Sequence, residues 1–355
     1  MQYKPFSIYH EEQPWLPFSE MILDWEDSFH DLMLNDHIRM QAYEHAIKQA
    51  VRPGDTVLDL GTGTGILSQW ALEAGASHVY AIEMDAVILE RAIERIRQLG
   101  FASRFTPFNC LSYDVVIPEK VDVLISEIIG NMADNEDFQP VLNDAFTRFL
   151  KSSGHAIPYA VSSYITPISS KKAYDYICEG RIASLSKQYD LYRLLSDKAC
   201  QDRFDLYYDT ILPAYCYLDE PQLLKRYDTN WNQAPWYSED RIFRVDHRSN
   251  LNGFKVHFVA NLTPGVSLDI GGGDISARET SDSWKHAFLP IKHPIAVEQG
   301  DIIKLSFSRH RPKQGYDNFR QRYRWRGDVL RNGERVGQFD QGGDNKVDIE
   351  IKAMA

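Results

Sequence analysis

The sequence predicts an α/β fold: a doubly wound, Rossmann-like domain followed by an antiparallel β-barrel-like domain. Three observations predict it. A Gly-rich turn, Gly61-Thr62-Gly63-Thr64-Gly65, lies between a strand-like run, Thr56 to Leu60, and a helical run, Ile66 to Ala74. Short apolar runs then alternate with helical periods up to about Leu150, the pattern of a parallel sheet wrapped by helices. Beyond Gly154-His155-Ala156-Ile157-Pro158 helical periods thin out, and strand-like runs with Gly-Gly and Asn-Gly turns take over.

Each element has a local reason. His37 to Val51 reads as a helix because Ile38, Ala42, Ala46 and Ala50 recur at helical spacing, and Arg52-Pro53-Gly54-Asp55 ends it in a turn. His78 to Ile82 is a second strand, and Ala86 to Leu99 a helix of alternating charge. Val121 to Ser126 is a continuous apolar run of the kind buried in parallel sheets. In the second half, helical periods are confined to roughly Lys171 to Gln201. Strands are expected at Gly253 to Leu262, Ile302 to Ser308, Gln321 to Trp325 and Val347 to Ile351, with turns at Gly271-Gly272-Gly273, Asn332-Gly333 and Gly342-Gly343. The expected organisation is a covering segment over residues 1–35, the Rossmann-like domain over 36–155 and the β domain over 156–355, with an arm near 188–217 inserted in it.

Composition narrows the function classes. The 355 residues are 43% hydrophobic, enough for a sizeable core and two domains. Fifty acidic against 39 basic residues give a formal net charge of -11, which disfavours general nucleic-acid binding and suits a cationic substrate. Cys110, Cys178, Cys200 and Cys216 show no C-x-x-C pairing, so neither a metal site nor a disulfide framework is expected, and a cytoplasmic setting fits. No apolar signal segment opens the chain, and no membrane span or membrane partner is expected.

The chemistry sits at the ends of three strands. The glycines let the backbone turn sharply after a strand and approach a ligand. Glu83 ends the next strand, about 20 residues on, where a carboxylate can accept hydrogen bonds from both hydroxyls of a ribose. Dinucleotide sites prefer G-x-G-x-x-G, with a third glycine where this chain has Ile66. The form Asp59-x-Gly61-x-Gly63-x-Gly65 instead resembles the first motif of S-adenosylmethionine-dependent methyltransferases. Glu127 follows the buried run, and Glu136 lies nine residues later, so two carboxylates share one loop beside the turn. Alone, Glu136 between Asp134 and Asp137 would read as a solvated acid.

The block His30-Asp31-Leu32-Met33-Leu34-Asn35-Asp36-His37-Ile38-Arg39, the glycine motif, Glu83 and the loop Ser126-Glu127-x-x-Gly130-x-x-x-x-x-Glu136 together resemble the protein arginine methyltransferase family in order and spacing. The resemblance covers about Phe29 to Leu150 and extends to the β domain. It implies an S-adenosylmethionine-dependent arginine N-methyltransferase, acting on arginine free, in a peptide or in a protein, and a homodimer. It implies that Arg39 pairs with the cofactor's carboxylate and that Met33 lies near its sulfonium. Glu83 would hold the ribose, and Glu127 and Glu136 would grip the guanidinium. His30, Asp59, Gly61, Gly63, Gly65 and Met84 are carried over as cofactor contacts, with Ser112 or Tyr113 (or Asp114, after a one-residue shift) at the adenine. Two other classes stay open: a methyltransferase of the same fold acting on another nitrogen or oxygen nucleophile, and a non-catalytic scaffold.

The chain departs from the family pattern in places. The family's Thr-His-Trp loop appears as Asp282-Ser283-Trp284, making Ser283 and Trp284 the substrate-loop candidates. Asp36, whose family partner is the missing His, is then expected to cap the helix that follows it; His286 is an available substitute. The family's Tyr-x-x-Tyr lid is absent from its place, and Trp15, Phe18, Trp25 and Phe29 are either a replacement or core. Ile128, Ile129 and Asn131 stand where larger residues are usual, which reshapes the substrate pocket. Arg320, Arg322, Arg324 and Arg326 alternate along one strand and read as a solvated face rather than an acidic-partner site. Tyr189, Leu191, Tyr192, Leu194, Leu195, Phe204, Leu206, Tyr207 and Tyr208 in the arm suit burial in a second subunit or, alternatively, packing within the chain.

Overall fold

The computed structural model describes residues 10–24, 27–198, 200–228, 234–271, 283–310 and 322–342, with backbone only at 22–24 and 27–29. Trp25, the Phe29 side chain, Gly272, Gly273, Asp282, Arg320, Gly343 and the strand expected at 347–351 lie outside the described residues.

The first half is a helix-wrapped parallel sheet. After α1 (Asp27–Leu34) and α2 (His37–Ala50) come β1 (Thr56–Leu60), α3 (Ile66–Glu73), β2 (His78–Glu83), α4 (Ala86–Gln98), β3 (Phe105–Asn109), β4 (Val121–Ser126), α5 (Phe138–Phe149) and β5 (Leu150–Ile157). The order across the sheet is β3-β2-β1-β4-β5, all parallel. β1 is buried along its whole length and β4 along nearly all of it, because helices cover both faces. The chain winds outward from β1 to β3, then returns to place β4 on the other side of β1. That reversal opens a crevice at the carboxyl ends of β1 and β4, the place where such sheets bind ligands. Register puts Leu60 level with Ile82 on one side and Ser126 on the other, so the residues that follow all three strands emerge side by side.

The second half is antiparallel. It contains β6 (Ala160–Ile168), α6 (Lys171–Glu179), α7 (Leu191–Asp197), β7 (Tyr208–Thr210), β8 (Gln222–Tyr227), β9 (Tyr237–Arg244), β10 (Ser249–Thr263), β11 (Val266–Asp269), β12 (His286–Val297), β13 (Ile302–His310), β14 (Arg322–Arg331) and β15 (Glu334–Gly342). One sheet runs β7-β12-β10-β6-β8, with β11 on β10, and the other β15-β14-β13-β9. Their edges are stitched by side chains: Arg241 donates to the carbonyls of Leu223 (2.6 Å) and Leu224 (2.8 Å), and Gln222 to that of Ile242 (2.8 Å). Phe243, Phe254, Phe307, Trp325 and Val329 fill the space between. Arg322 and Arg324 alternate on β14 with buried Tyr323 and Trp325, and Arg324 pairs with Asp340, as a solvated face would.

Of the two readings of the arm, its described side chains take packing within the chain. Tyr189, Leu194, Phe204, Leu206 and Tyr208 are buried within the chain itself, in a core shared with Leu16, Met21 and Phe288. Tyr207 is buried in the barrel core instead. Tyr192 alone of that set stays open, at 83% exposure. The chain's own N-terminal segment is the partner those apolar side chains were expected to need. Trp15 exchanges backbone hydrogen bonds with Asp209 (2.8 and 3.0 Å) and its ring is buried, so it takes the core reading.

The two halves are joined by a polar cluster centred on Asp134, in the loop between β4 and α5. Its carboxylate accepts hydrogen bonds from the phenols of Tyr227 (2.6 Å), Tyr237 (2.9 Å) and Tyr323 (2.9 Å). Arg309, 1% exposed, donates to the Asp134 carbonyl (2.8 Å) and to Asp137 (2.9 Å). Burial and the adjacent carboxylate hold all three phenols well above their ordinary pKa, so they remain donors.

Two outcomes follow. Gly65 has φ +79°, and a Cβ there would lie 2.9 Å from the Ala92 Cβ on α4, so Gly65→Ala should lower thermal stability by about 1–3 kcal/mol in a denaturation curve. Arg309→Ala leaves Asp134 and Asp137 facing each other without their cation and should cost about 3–5 kcal/mol, measured the same way.

Candidate functional site

The glycine turn is built by β1 and closed by β2. Gly61 and Thr62 both donate to the Ile82 carbonyl (2.9 Å each). Gly61, Gly63 and Gly65 all have positive φ (75°, 54° and 79°), which glycine adopts without strain. Asp59 points its Oδ2 at the hydroxyls of Thr62 (2.6 Å) and Ser68 (2.7 Å), which fixes the turn from below. Burial outweighs those hydrogen bonds and pushes the Asp59 carboxyl up to about 6. Its Oδ1 is buried without a partner among the described residues.

Glu83 ends β2 and is tied to the turn, with Oε2 accepting from the Gly63 N–H (3.0 Å) and Oε1 from that of Asp85 (3.0 Å). Burial raises its pKa against those backbone donors. Of the residues carried over as cofactor contacts, His30 lies beside the turn, its Nδ1 3.8 Å from where a Gly63 Cβ would be. Met33 is half-buried one helical turn further on. Met84 is 44% exposed and Tyr113 51% exposed, whereas Ser112 is buried and its carbonyl is held by Arg148 (2.7 Å).

The acidic recess lies one strand over. Glu127 follows β4 directly, with Oε1 accepting from the Ile129 N–H (3.3 Å) and Oε2 ion-paired to Arg39 from the first turn of α2. Both side chains are more than nine-tenths buried. The Arg39 guanidinium also lies over the Trp284 ring, 4.7 Å from its centroid, and its Nε has no partner among the described residues. Glu136 enters the recess from a short 3₁₀ turn, Asp134–Glu136, flanked by two non-glycine residues at positive φ, Ala133 (74°) and Asp137 (56°). Such conformations persist only where surrounding contacts hold them, and the Asp134 cluster does so here. Burial pushes the Glu136 carboxyl up to about 7; Arg39 opposes that, and Asp209 adds to it.

Trp284 donates its indole N–H to the Ile129 carbonyl (2.7 Å), so the β domain closes the recess from above. Asp36 both caps α2, accepting from the Arg39 N–H (3.1 Å), and accepts from the Ser283 hydroxyl (2.8 Å) and N–H (3.2 Å). The expectation that Asp36 had lost its partner is therefore corrected. Ser283 reaches the carboxylate itself, with its own hydroxyl and with a backbone donor that any residue at that position would supply. His286 is not the substitute: its Nδ1 accepts from the Leu212 N–H (2.9 Å), and its Nε2 meets the Ile270 carbonyl (2.8 Å).

The loop between the glutamates also engages residues that sequence reasoning missed. Asn131 donates to Asp209 (2.7 Å), and Asn135 donates to Asn131 (3.0 Å) and to Ser19 (3.0 Å). Asp209 accepts from the Phe18 N–H (2.9 Å), and the Lys285 ammonium lies 3.8 Å from the Phe18 ring centroid. One signal was available: Arg309 falls in phase with buried Ile303, Leu305 and Phe307, which marks an inward-facing charge. Ile128 shapes both half-sites, since a Cβ at Gly61 would lie 2.8 Å from its Cγ2. No group of three or more metal-ligating side chains occurs among the described residues.

Residues 38–158 match the family model described as ribosomal protein L11 methyltransferase, and residues 160–325 match that of the PRMT5 oligomerisation domain. A probable protein arginine N-methyltransferase 6.2 of Oryza sativa subsp. indica is 37% identical over 147 residues, covering 41% of this chain but only 37% of that relative's length. Protein arginine N-methyltransferase PRMT10 of Oryza sativa subsp. japonica is 28% identical over 317 residues, 80% of this chain and 81% of the relative. Among solved structures, the Trypanosoma brucei PRMT1 enzyme-prozyme heterotetrameric complex with AdoHcy matches with a TM-score of 0.72 at 20% identity, over 89% of this chain and 99% of that one. Arabidopsis thaliana protein arginine methyltransferase 10 matches with 0.72 at 22%, over 88% and 96%. At those identities the structural likeness establishes the fold alone, and each of the two family models matches less than half of the chain.

Proposed function

We propose that the chain is an S-adenosylmethionine-dependent arginine N-methyltransferase whose Glu127 and Glu136 grip the substrate guanidinium. The observation that carries this is a charge imbalance. Glu127 is ion-paired to Arg39, and Glu136 feels the same guanidinium, so among the described residues two carboxylates share Arg39. Burial raises the Glu136 carboxyl, Arg39 offsets that only in part, and Asp209 adds to it, so a further cation in the recess would be favoured. A planar cation with several N–H donors satisfies both acids at once.

The residues present fit the cofactor. Arg39 Nε, a donor, and Asp59 Oδ1, an acceptor, are both buried and unpartnered among the described residues, and an amino-acid moiety carries an acceptor and a donor for them. Glu83 would take the ribose hydroxyls, the glycine turn would admit the ligand backbone closely, and Ser112 would lie toward the adenine. When bound, S-adenosylmethionine supplies an electrophilic methyl group on a sulfonium.

The chain's own side chains supply the rest. Glu127 and Glu136 draw the delocalised charge toward the nitrogens they contact, leaving electron density on the nitrogen that reacts. They also fix that nitrogen for in-line displacement. Guanidinium ionises too weakly to be deprotonated beforehand, so the proton leaves as the nitrogen is alkylated. A carboxyl near 7 is matched to accept it. Trp284 and Ile129 close the recess against water. The oligomerisation-domain match supports a homodimer, and the four free cysteines support a reducing, cytoplasmic setting.

Mass spectrometry after incubation with the methyl donor tests the reading on free arginine, an arginine-containing Gly-rich peptide and a histone-like protein. A gain of one methyl group on any of them supports it and identifies the substrate form; no gain on all three, with cofactor binding shown by calorimetry, removes arginine as the substrate. Glu136→Gln should lower kcat/KM by about 10²–10³-fold. In the wild type, kcat/KM should fall about tenfold per pH unit below about 7, as Glu136 takes up its proton. The raised carboxyl makes ionised Glu136 a burden on folding that begins above the ordinary value of 4.5 and is complete above about 7. Glu136→Gln should therefore raise Tm at pH 8 and leave it unchanged near pH 4.

A further inference from the structure

Lys198, at the carboxyl end of α7, is remote in sequence from the glutamate loop, yet a buried polar chain runs from it to that loop. Its ammonium pairs with Glu20 (2.6 Å), whose Oε1 also accepts from the Tyr207 phenol (2.9 Å). The Tyr207 oxygen shares a hydrogen bond with the Ser19 hydroxyl (2.7 Å), and Ser19 accepts from the Asn135 amide (3.0 Å). Asn135 then accepts from the Met132 N–H (2.9 Å) and immediately precedes Glu136. Ser19, Glu20, Tyr207 and Asn135 are each at most 5% exposed, so water does not compete for these bonds.

A second route leaves the same tyrosine. The Tyr207 ring packs edge-on against Tyr323 (centroids 5.8 Å apart), and Tyr323 donates to Asp134 (2.9 Å). Both routes end on the two residues that precede Glu136. Gly130 shows how closely the loop is held: a Cβ there would lie 2.1 Å from the Asn135 Oδ1, so the Asn135 amide has one position open to it.

We propose that Lys198, through Glu20, Tyr207 and Ser19, is a positioning residue for the Glu127–Glu136 loop, so that the α7 segment sets the geometry of the acidic recess. The Lys198–Glu20 ion pair fixes the Glu20 carboxylate, which orients the Tyr207 phenol, which in turn fixes Ser19 and the Asn135 amide. Without the ammonium, the Glu20 carboxylate is left buried with one donor and a second oxygen that has no partner among the described residues, and the chain loses its fixed end. That the loop carries catalytic carboxylates rests on the function proposed above; the mechanical coupling does not.

Hydrogen exchange and turnover together test it on the full chain. Lys198→Met, which keeps the stem and removes the charge, should increase amide exchange across residues 128–137 while the β1 and β4 amides stay protected. It should lower kcat by roughly two- to thirtyfold with the cofactor Kd unchanged. Lys198→Arg should restore both. Ser19→Ala, which cuts the chain at its middle without leaving a charge unpaired, should reproduce the exchange pattern and add little to Lys198→Met in the double variant. Unaltered exchange at 128–137 in Lys198→Met and Ser19→Ala overturns the coupling, whatever the activity; so does a loss of protection spread evenly over the chain. Increased loop exchange in a protein that methylates no arginine substrate upholds the coupling and removes the functional reading instead.

Discussion

The contact between Asp134 and the β domain is the constraint on which the rest of the site depends. A carboxylate taken out of water is tolerated only if its lone pairs are filled, and here three phenols fill them while a buried guanidinium stands 3.7 Å away. The donors come from β8, β9, β13 and β14, strands of both antiparallel sheets, so the loop that follows β4 can take its observed shape only when the β domain is assembled around it. This is why Ala133 and Asp137 can hold backbone conformations that side-chain-bearing residues avoid. The parallel sheet delivers Glu127 to the crevice by itself; Glu136 arrives there because the second domain holds the loop.

The sequence made the parallel sheet legible in its interior and not at its margins. β1, β2 and β4 are apolar runs because they are covered on both faces, and three features of the candidate site stand at their ends: the Gly61 turn, Glu83 and Glu127. β3 carries Pro107 and is largely half-exposed, and β5 opens on Lys-Ser-Ser-Gly, so neither shows the buried pattern. β12 is interrupted by Pro290 and Pro294, yet its first half is wholly buried. The polar interior was the hardest part to read. Asp134 looks like a surface acid because its partners lie 93, 103 and 189 residues away, and no local spacing announces them. The apolar arm was legible as something that must be buried, but not as buried by the segment around Leu16 and Met21.

The site and the fold pull in opposite directions over charge. Four acids in and around the recess are costlier to ionise here than in water: Asp59, Glu83, Asp209 and Glu136 are pushed upward by burial. A protein selected for stability alone would replace several of them with amides. Such a concentration of perturbed acids in one place is what the proposed cation site would need.

The absence of a side chain at Gly61 has a further meaning. The space that its Cβ would fill belongs to Ile128, so one methyl group separates the turn after β1 from the loop after β4. The glycine turn and the glutamate loop are thus two rooms with a common partition. A larger residue at 128 would press on the turn, and a smaller one would open a gap between the rooms. At this position, a change made for one side is felt on the other.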